Sequence, residues 1–255
     1  MAESSERPYE TNEISWWSNW AQTEWLDRNA YLIFSKDFSE YFFNRGGFLQ
    51  MTPGSRLAVG AMEREFSARR RRPHIFIKSD RLDSRLLKTL EGGGYRIADQ
   101  MAVMEMGEPS FKLNGDLKVR QVTKDEAEDW SEVYLDSFYG ELGKMKAVTA
   151  AVRRLARTKE ASVLLGSLDG RPAGTLALYR TGGLCGVYCV GTHRGFRRRR
   201  VASTLLESAC ATAASEGRRL ILQTILSDSV EGIYLKFGFK RRYLKELFVK
   251  SGAAT

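Results

Sequence analysis

The chain has 255 residues, of which 43% are hydrophobic and 28% are charged, and its 40 Lys and Arg outnumber its 31 Asp and Glu. This composition excludes a disordered chain, and no apolar run approaches the roughly 20 residues that span a bilayer. The first ten residues lack the apolar stretch of a secretory signal, so we expect a cytoplasmic protein. The net charge of +9 favours an anionic partner, and nucleic acid, an acidic membrane surface and a phosphorylated cofactor all satisfy it.

Cysteine usage points to a reducing compartment. Cys185, Cys189 and Cys210 are an odd number, and their spacing is not that of metal ligands. We therefore expect reduced, partly buried thiols and no metal site.

The first hundred residues carry few element signals. Four tryptophans recur at the three- and four-residue spacing of a buried helix face, and they are Trp16, Trp17, Trp20 and Trp25. A helix is predicted over Leu57–Ala68, followed by Arg69–Arg72 at the end where cations complement the helix dipole. This arginine run is therefore interpreted as a solvated helix end.

The predicted order strand, helix, strand in the first half of the chain recurs about 144 residues later. The first set is Ile75–Ile77, Ser84–Leu90, Gly94-Tyr95 and Met101–Met106, and the second is Leu220–Gln223, Asp228–Phe237, Gly238-Phe239 and Leu244–Val249. The matching Gly-aromatic pairs favour an internal duplication over chance recurrence. With Gly107–Asp116 as a linker, we predict two domains, at residues 1–109 and 116–255.

The second half gives a regular series of predicted elements. Leu117–Val122 is a strand, Lys124–Phe138 and Glu141–Arg157 are helices, Ala161–Leu168, Ala173–Tyr179 and Leu184–Val190 are strands, and Val201–Ser215 is a helix. The short turns between the three central strands favour antiparallel pairing. The order predicts an α+β fold with a mostly antiparallel sheet flanked by helices.

Four consecutive arginines lie between a predicted strand and a predicted helix. Val190, Gly191 and Thr192 end the strand, Arg197–Arg200 fill the loop, and Val201, Ala202 and Ser203 begin the helix. Backbone N–H groups at a helix start lack partners and, with the helix dipole, form an anion site. Arginines add charge-assisted hydrogen bonds. The loop therefore suits coenzyme A, although RNA phosphates would also fit it.

Residues Arg197–Ala202 resemble the (Arg/Gln)-x-x-Gly-x-(Gly/Ala) loop of the GNAT superfamily of N-acyltransferases. Phe196 stands where an aromatic residue is usual in that family. Arg200 occupies the place of the first glycine. We expect Arg200 to fit if its φ is negative and its side chain points outward, at the cost of a close approach to the ligand.

A second segment resembles the family pattern Asn-x-x-Ala-x-x-(Leu/Ile)-Tyr-x-x-x-Gly-Phe. Residues Ile233–Phe239 keep the end of this pattern, while Ser227 replaces the Asn and Val230 replaces the Ala. The resemblance implies that Tyr234 is the general acid that protonates the departing thiolate. The cofactor contact that the family makes through the Asn must then come from the shorter hydroxyl of Ser227 or be lost.

The resemblance implies a catalytic GNAT domain, preceded by a smaller, degenerate partial repeat of the same fold. Its expected activity is direct transfer of an acetyl group from acetyl-CoA to a primary amine of a small molecule or a protein. The implied cofactor contacts are Val190, Gly191, Thr192, Arg197, Arg198, Arg199, Arg200, Val201, Ala202, Ser203 and Ser227. Glu132, Asp136 and Glu141 are candidates to line the acceptor cleft, but such carboxylates are more often solvated surface.

Two other functions fit the same residues. A nucleic-acid-binding module would use Arg69–Arg72 and Arg194–Arg200 on phosphates, with aromatic stacking, but the tryptophans cluster at the opposite end of the chain. A domain that binds acyl-CoA without turnover is kept open by Arg200 and Ser227. The amino-terminal part lacks an arginine-glycine loop, so we expect it to shape the acceptor cleft or stabilise the fold. We expect no membrane partner.

Overall fold

The computed structural model describes residues 6–52 and 54–251. They divide into two compact units. The first contains the described residues of Met1–Met104, Gln223–Gly232 and Arg241–Thr255, and the second contains Glu105–Leu222 and Ile233–Lys240. This division is not a single cut in the predicted linker, because two late segments of the chain belong to the first unit. The domain boundaries 1–109 and 116–255 stay a prediction.

Helices and strands occur in mixed order along the described chain. The helices are α1 (Arg7–Trp17), α2 (Ser55–Ala68), α3 (Ser84–Gly92), α4 (Ala127–Phe138), α5 (Met145–Leu155), α6 (Val201–Ser215) and α7 (Glu231–Lys236). The strands are β1 (Gln22–Trp25), β2 (Ala30–Phe34), β3 (Arg45–Phe48), β4 (His74–Lys78), β5 (Tyr95–Met106), β6 (Lys118–Gln121), β7 (Ala161–Leu168), β8 (Arg171–Thr181), β9 (Leu184–Thr192), β10 (Arg219–Ile225) and β11 (Phe239–Lys250). Within residues 6–52 and 54–251, no helix is long and apolar enough to cross a membrane.

The first unit is built on the strand order β1-β2-β3-β4-β11-β5. β2 is antiparallel to β1 and to β3, whereas β4 is parallel to β3, with Gly46 opposite Ile75. The last strand of the chain, β11, runs antiparallel to β4 and places Phe248 opposite Ile75. The first unit is thus completed by residues that follow it by more than a hundred positions in sequence.

Helix α2 covers this sheet with one apolar face. Val59, Met62 and Phe66 recur at three- and four-residue spacing, and each is at most 5% exposed. They pack in one cluster with Leu32 of β2 and Phe248 of β11. Burying an apolar side chain of this size stabilises a fold by about 1.5–3 kcal/mol, so this face holds α2 in place.

A buried ionic cluster ties α1 to the same unit. Glu13 accepts a 2.6 Å hydrogen bond from Arg45 of β3, and Lys245 of β11 pairs with Glu13 and, at 3.2 Å, with Glu10. Burial alone would raise the pKa of Glu13, but the charges of Lys245 and Arg45 lower it overall, whereas burial raises the pKa of Glu10. Tyr243 donates a 2.7 Å hydrogen bond to Glu10. Removing one partner from such a cluster leaves an uncompensated buried charge.

The second unit repeats the topology of the first. β6, β7, β8 and β9 pair antiparallel in sequence order, and β10 is parallel to β9. α6 connects β9 to β10 as α2 connects β3 to β4, so both units contain an antiparallel pair, a helical connection and a parallel strand. The predicted α+β fold with a partial repeat is confirmed. Residues 49–54 of the first unit correspond to His193–Arg200 of the second.

Three predicted helical segments are wrong in detail, and one of them, Glu141–Arg157, is an α-helix only over Met145–Leu155. The four tryptophans do not share one helix, because α1 ends at Trp17 and Trp25 lies in β1 with half of its surface exposed. The helix predicted from Asp228 begins only at Glu231. Ser229, just before it, has a left-handed backbone with φ of 58°, which cannot continue a right-handed helix.

Candidate functional site

Strand β9 carries a bulge near its end. Thr175 of β8 faces Gly191, while Ala177 faces Tyr188, so β9 has one residue more than β8 in this interval. Cys189 lies in the bulge with φ of 54°, and its carbonyl accepts a 2.9 Å hydrogen bond from the buried Thr175 hydroxyl. A bulge re-aims the residues that follow it. The parallel pairing with β10 covers Leu184–Val187 and therefore ends before the bulge.

The end of α4 packs directly against the bulged strand. A Cβ atom on Gly191 would lie 3.0 Å from both the Cβ and the Oγ of Ser137 and 2.8 Å from Thr175 Oγ1. These distances are too short for a side chain at this position. The predicted contact residues Val190 and Thr192, on either side of Gly191, are partly exposed, so the end of β9 is a close-packed yet accessible strand.

The arginine loop adopts a turn with two left-handed residues. After a short 3-10 turn at Arg194–Phe196, Arg198 has φ of 63° and Arg200 has φ of 60°. The expectation of a negative φ at Arg200 is therefore wrong. Arg200 takes the conformation that a glycine adopts at little cost, and a non-glycine residue pays about 1–2 kcal/mol for it. The loop keeps the backbone geometry of a glycine turn although its residue is an arginine.

Contacts from the predicted linker brace the inner side of this loop. Asn114 donates through its side-chain amide to the carbonyl of Arg199 at 2.9 Å, and its backbone N–H donates to Thr204 Oγ1 at 2.9 Å. Thr204 in turn donates to the carbonyl of Arg200 at 3.1 Å. Two carbonyl oxygens of the loop are thereby engaged by α6 and the linker, and they need no other partner.

The side chains of the four arginines remain on the surface. Arg197–Arg200 are all exposed, and Arg199 pairs with Asp169 at 3.1 Å. Phe196 is the buried residue beneath them, and the guanidinium groups of Arg171 and Arg199 lie 5.5 Å and 5.6 Å from its ring centroid. The loop therefore presents its charge outward from an apolar anchor.

Helix α6 begins with donors that have no acceptor in the described structure. The backbone N–H groups of Val201, Ala202 and Ser203 precede the first intrahelical bond, which Thr204 donates to Arg200. The hydroxyl of Ser203 is buried and has no partner among the described residues. A left-handed residue such as Arg200 next to a right-handed one such as Val201 is the backbone pattern of the anion-binding concavities in phosphate loops. Together with the helix dipole, these groups fit a pyrophosphate.

Asp136 and Arg194 form a contact that the sequence did not reveal. Arg194 donates its backbone N–H to Asp136 at 2.7 Å and its Nε to the same carboxylate at 2.9 Å. Burial would raise the pKa of Asp136, but these hydrogen bonds and the charges of His193 and Arg194 lower it overall. The side chain of Asp136 is only 18% exposed, whereas Glu132 and Glu141 are exposed. The expectation of a solvated Asp136 is wrong, because its carboxylate is paired with Arg194. The sequence could not indicate this pairing, since the two residues lie 58 positions apart.

Tyr234 lies in the second unit, on the short helix α7. Its ring is partly exposed and makes an edge contact with Phe239, with 5.9 Å between the ring centroids. Gly238, between them, has φ of 102°, and a Cβ atom there would collide with the carbonyl of Glu108. The Tyr-x-x-x-Gly-Phe pattern therefore fixes the turn that follows α7. The role of Tyr234 as an acid stays a prediction.

Ser227 belongs to the first unit. It precedes α7 and donates its hydroxyl to Asp99 of β5. Asp99 also accepts a hydrogen bond from the backbone N–H of Ser227 at 3.4 Å. The hydroxyl is thus engaged within this unit, and its predicted contact with a cofactor stays a prediction.

The three cysteines are free thiols. Burial raises the pKa of Cys185 to about 11 and also raises the pKa values of Cys189 and Cys210. A thiol with a raised pKa is protonated at neutral pH and is a weak nucleophile. These residues therefore favour packing roles over covalent catalysis.

A segment that contains most of the second unit matches a known protein family by sequence. The profile of the acetyltransferase (GNAT) family matches residues 119–239, from β6 to the end of the Tyr234 segment. No curated protein matches the chain. The matched residues include the strand, loop and helix start described above.

Solved structures resemble the chain over most of its length. A GCN5-related N-acetyltransferase from Kribbella flavida is 15% identical, covers 99% of this chain and 98% of its own, and has a TM-score of 0.73. A GCN5-related N-acetyltransferase from Sphaerobacter thermophilus is 17% identical over 91% of this chain and 84% of its own, with a TM-score of 0.67. A tandem GNAT protein from the clavulanic acid biosynthesis pathway is 14% identical over 83% and 76%, with a TM-score of 0.58. At these identities the likeness shows the fold alone.

Proposed function

We propose, on the premise that residues 119–239 form a domain of the acetyltransferase (GNAT) family, that the protein is an N-acetyltransferase. It would move an acetyl group from acetyl-CoA to a primary amine by direct attack. The observation that carries this proposal is the start of α6, where free backbone N–H groups, a left-handed loop and exposed arginines meet. A pyrophosphate is the anion whose size and charge suit such a group of donors.

The residues that would hold the acyl-CoA follow the chain from β9 into α6. The N–H groups of Val201, Ala202 and Ser203 would bind the pyrophosphate, and Arg197–Arg200 would surround its charge. The end of β9, Val190–Thr192, would bind the pantetheine arm through its backbone groups. Preorganised backbone donors beside the thioester carbonyl would stabilise the charge that develops on its oxygen.

Tyr234 is proposed as the general acid. The bond between the thioester carbon and sulfur breaks as the amine nitrogen attacks, and the phenol of Tyr234 would donate a proton to the departing thiolate. A phenol has a pKa near 10 and a thiol near 8.5, so this transfer requires accurate positioning of the hydroxyl. The attacking amine must be neutral, and a base or a chain of waters would take its proton.

The proposed acceptor is an amine of a small molecule or a protein. The three reduced thiols favour a cytoplasmic location, where disulfides are rare. The nucleic-acid alternative loses part of its support because Arg69 pairs with Glu24 and Glu65, while Arg71 and Arg72 donate to the carbonyls of Ser35 and Lys250. Three of the four arginines of this run are thus engaged within the first unit.

The proposal is tested by binding and turnover in the same preparation. Calorimetry with CoA should give heat that weakens with added salt, because surface charges are screened. Acetyl-CoA and a panel of amines should then release free thiol, with the acetylated amine detected by mass spectrometry. Absence of heat with CoA and with acetyl-CoA would overturn the cofactor assignment. Tight binding without transfer or hydrolysis would favour a non-catalytic acyl-CoA-binding domain.

A further inference from the structure

The guanidinium of Arg194, in the loop before α6, is hydrogen-bonded to the protein although about half of its side chain is exposed. Arg194 makes three contacts with the end of α4: its backbone N–H and its Nε donate to Asp136, and its Nη2 donates to the carbonyl of Gly140 at 2.8 Å. Asp136 thus receives a main-chain and a side-chain donor from the same residue. A pair held at three points restrains the backbone as well as the side chain.

The turn after α4 is shaped around this guanidinium. Gly140 has φ of 75°, and a Cβ atom there would lie 3.1 Å from Nη2 of Arg194. A second residue of the loop, Arg197, reaches the carbonyl of Ser137 at 3.4 Å. Ser137 is also the residue against which Gly191 of β9 packs. The end of α4 is therefore the common support of the bulged strand and of the loop that follows it.

We propose that Asp136 is a positioning residue for acyl-CoA, which fixes the loop His193–Arg200 in the shape that presents the first-turn N–H groups of α6. The inference rests on the proposed function, and it assigns Asp136 no contact with substrate. Asp136 acts through Arg194, whose charge it neutralises. Its loss should lower the affinity for acyl-CoA and leave the rate of transfer from bound acyl-CoA nearly unchanged.

Simple electrostatics predicts the opposite sign. Removing a carboxylate close to an anion site reduces repulsion and should tighten the binding of a highly negative ligand. A positioning role predicts weaker binding, since the free loop must be ordered when the ligand binds. The direction of the change in Asp136→Asn therefore separates the two explanations.

Asp169 provides a matched control. It pairs with Arg199 of the same loop at 3.1 Å, but through side chains alone and with 63% of its own side chain exposed. Asp169→Asn removes the same charge without releasing a backbone contact, and Asn tolerates the left-handed φ of 55° at this position. We expect its affinity for CoA to equal or exceed that of the wild type.

The experiment is a calorimetric titration of the full chain with CoA at constant ionic strength. Asp136→Asn should raise Kd about tenfold, the effect of losing one charge-assisted hydrogen bond that orders the bound loop. In turnover assays the KM for acetyl-CoA should rise and kcat should change less than about twofold. Asp136→Glu, which keeps the carboxylate, should recover part of the affinity.

Arg194→Lys keeps the test decisive if Asp136→Asn fails to fold, as judged from thermal melting. Lysine preserves the net charge and the backbone N–H that donates to Asp136, but its side chain cannot reach Asp136 and Gly140 with one planar group. We therefore expect a smaller rise in Kd than for Asp136→Asn. Asp136→Asn that binds CoA as tightly as the wild type, or more tightly, overturns the positioning role, and so does an unchanged Kd for Arg194→Lys. A wild-type protein that binds no CoA would instead overturn the proposed function.

Discussion

Helices α2 and α6 occupy the same place in the topology of the two units, but the loops that lead into them differ in charge and in backbone conformation. Each helix connects two strands that pair in parallel, β3 with β4 and β9 with β10. Residues 49–54 before α2 contain no arginine or lysine, whereas Arg197–Arg200 precede α6. The residue before α2 is Gly54 with an ordinary φ of −78°, and the residue before α6 is Arg200 with φ of 60°. A glycine is thus present where its freedom is unused, and an arginine adopts the glycine conformation.

The proposed acid differs between the units in the same way. At the repeat offset of 144 residues, Tyr234 corresponds to Leu90 and the pair Gly238-Phe239 corresponds to Gly94-Tyr95. Leu90 is 1% exposed and packs in the core of the first unit, whereas Tyr234 is partly exposed. The parallel strand pairing needs only a helical connection, while phosphate binding needs a particular loop and proton transfer needs a hydroxyl. The topology is therefore repeated without the residues to which we assign the chemistry.

The largest effect is expected from removing the hydroxyl of Tyr234. Tyr234→Phe keeps the ring that contacts Phe239, so stability and CoA affinity should change little. Turnover should fall by about 10²- to 10⁴-fold, the usual range for loss of one general acid, and the loss should appear in kcat. Steady-state kinetics with acetyl-CoA measures this effect. An unchanged kcat would mean that another group protonates the sulfur. The replacement of Leu90 by Tyr234 between the two units would then have no catalytic meaning.

The ionic cluster of the first unit gives the next largest effect. Lys245→Met removes the cation that pairs with Glu10 and Glu13 and should destabilise the chain by about 3–5 kcal/mol, because buried Glu10 then lacks a cationic partner and buried Glu13 keeps only Arg45. Urea unfolding measures the change. If the first unit stabilises the folded chain and does not bind CoA, the folded variant should keep the wild-type Kd for CoA. A loss of CoA affinity with unchanged stability would contradict that division of roles.

The charge of the arginine loop should matter for ligand binding, and charge at the start of α2 should not. Arg197→Gln combined with Arg198→Gln should weaken CoA binding by about 10- to 100-fold and reduce its salt dependence. The matched control is Arg56→Gln, which removes a cation from the first turn of α2. Calorimetry at two salt concentrations compares them. Equal effects per removed charge would mean that CoA responds to overall charge alone.

The smallest expected effect concerns the backbone of Arg200. Arg200→Gly relieves a left-handed conformation that costs a side-chain-bearing residue about 1–2 kcal/mol, and the greater freedom of glycine in the unfolded chain offsets about 0.4–1 kcal/mol of this. We expect a net stabilisation of about 1 kcal/mol or less, measured by urea unfolding. Arg200→Ala is the control, because alanine keeps the strain. Equal stabilities of the glycine and alanine variants would show that φ at this position is not what matters.

The parts of the fold that could be predicted from the sequence depend on local patterns. α6 begins and ends where the spacing of Val201, Leu205, Leu206 and Ala209 indicated, and β7 has the predicted bounds. The left-handed φ of Arg200 could not be predicted, because arginine rarely adopts it and the loop imposes it through Asn114 and Thr204. The contact of Asp136 with Arg194 and the pairing of β11 with β4 join residues far apart in sequence, and no periodicity encodes them.

The most direct test of the account is a crystal structure of the full chain with CoA bound. We predict one CoA per chain, with pyrophosphate oxygens within hydrogen-bond distance of the backbone N–H groups of Val201, Ala202 and Ser203. Its pantetheine arm should lie along Val190–Thr192. No ligand is expected at the first turn of α2. A pyrophosphate bound at Ser55–Leu57, or a CoA whose phosphates avoid the start of α6, would contradict the assignment of the site to the second unit.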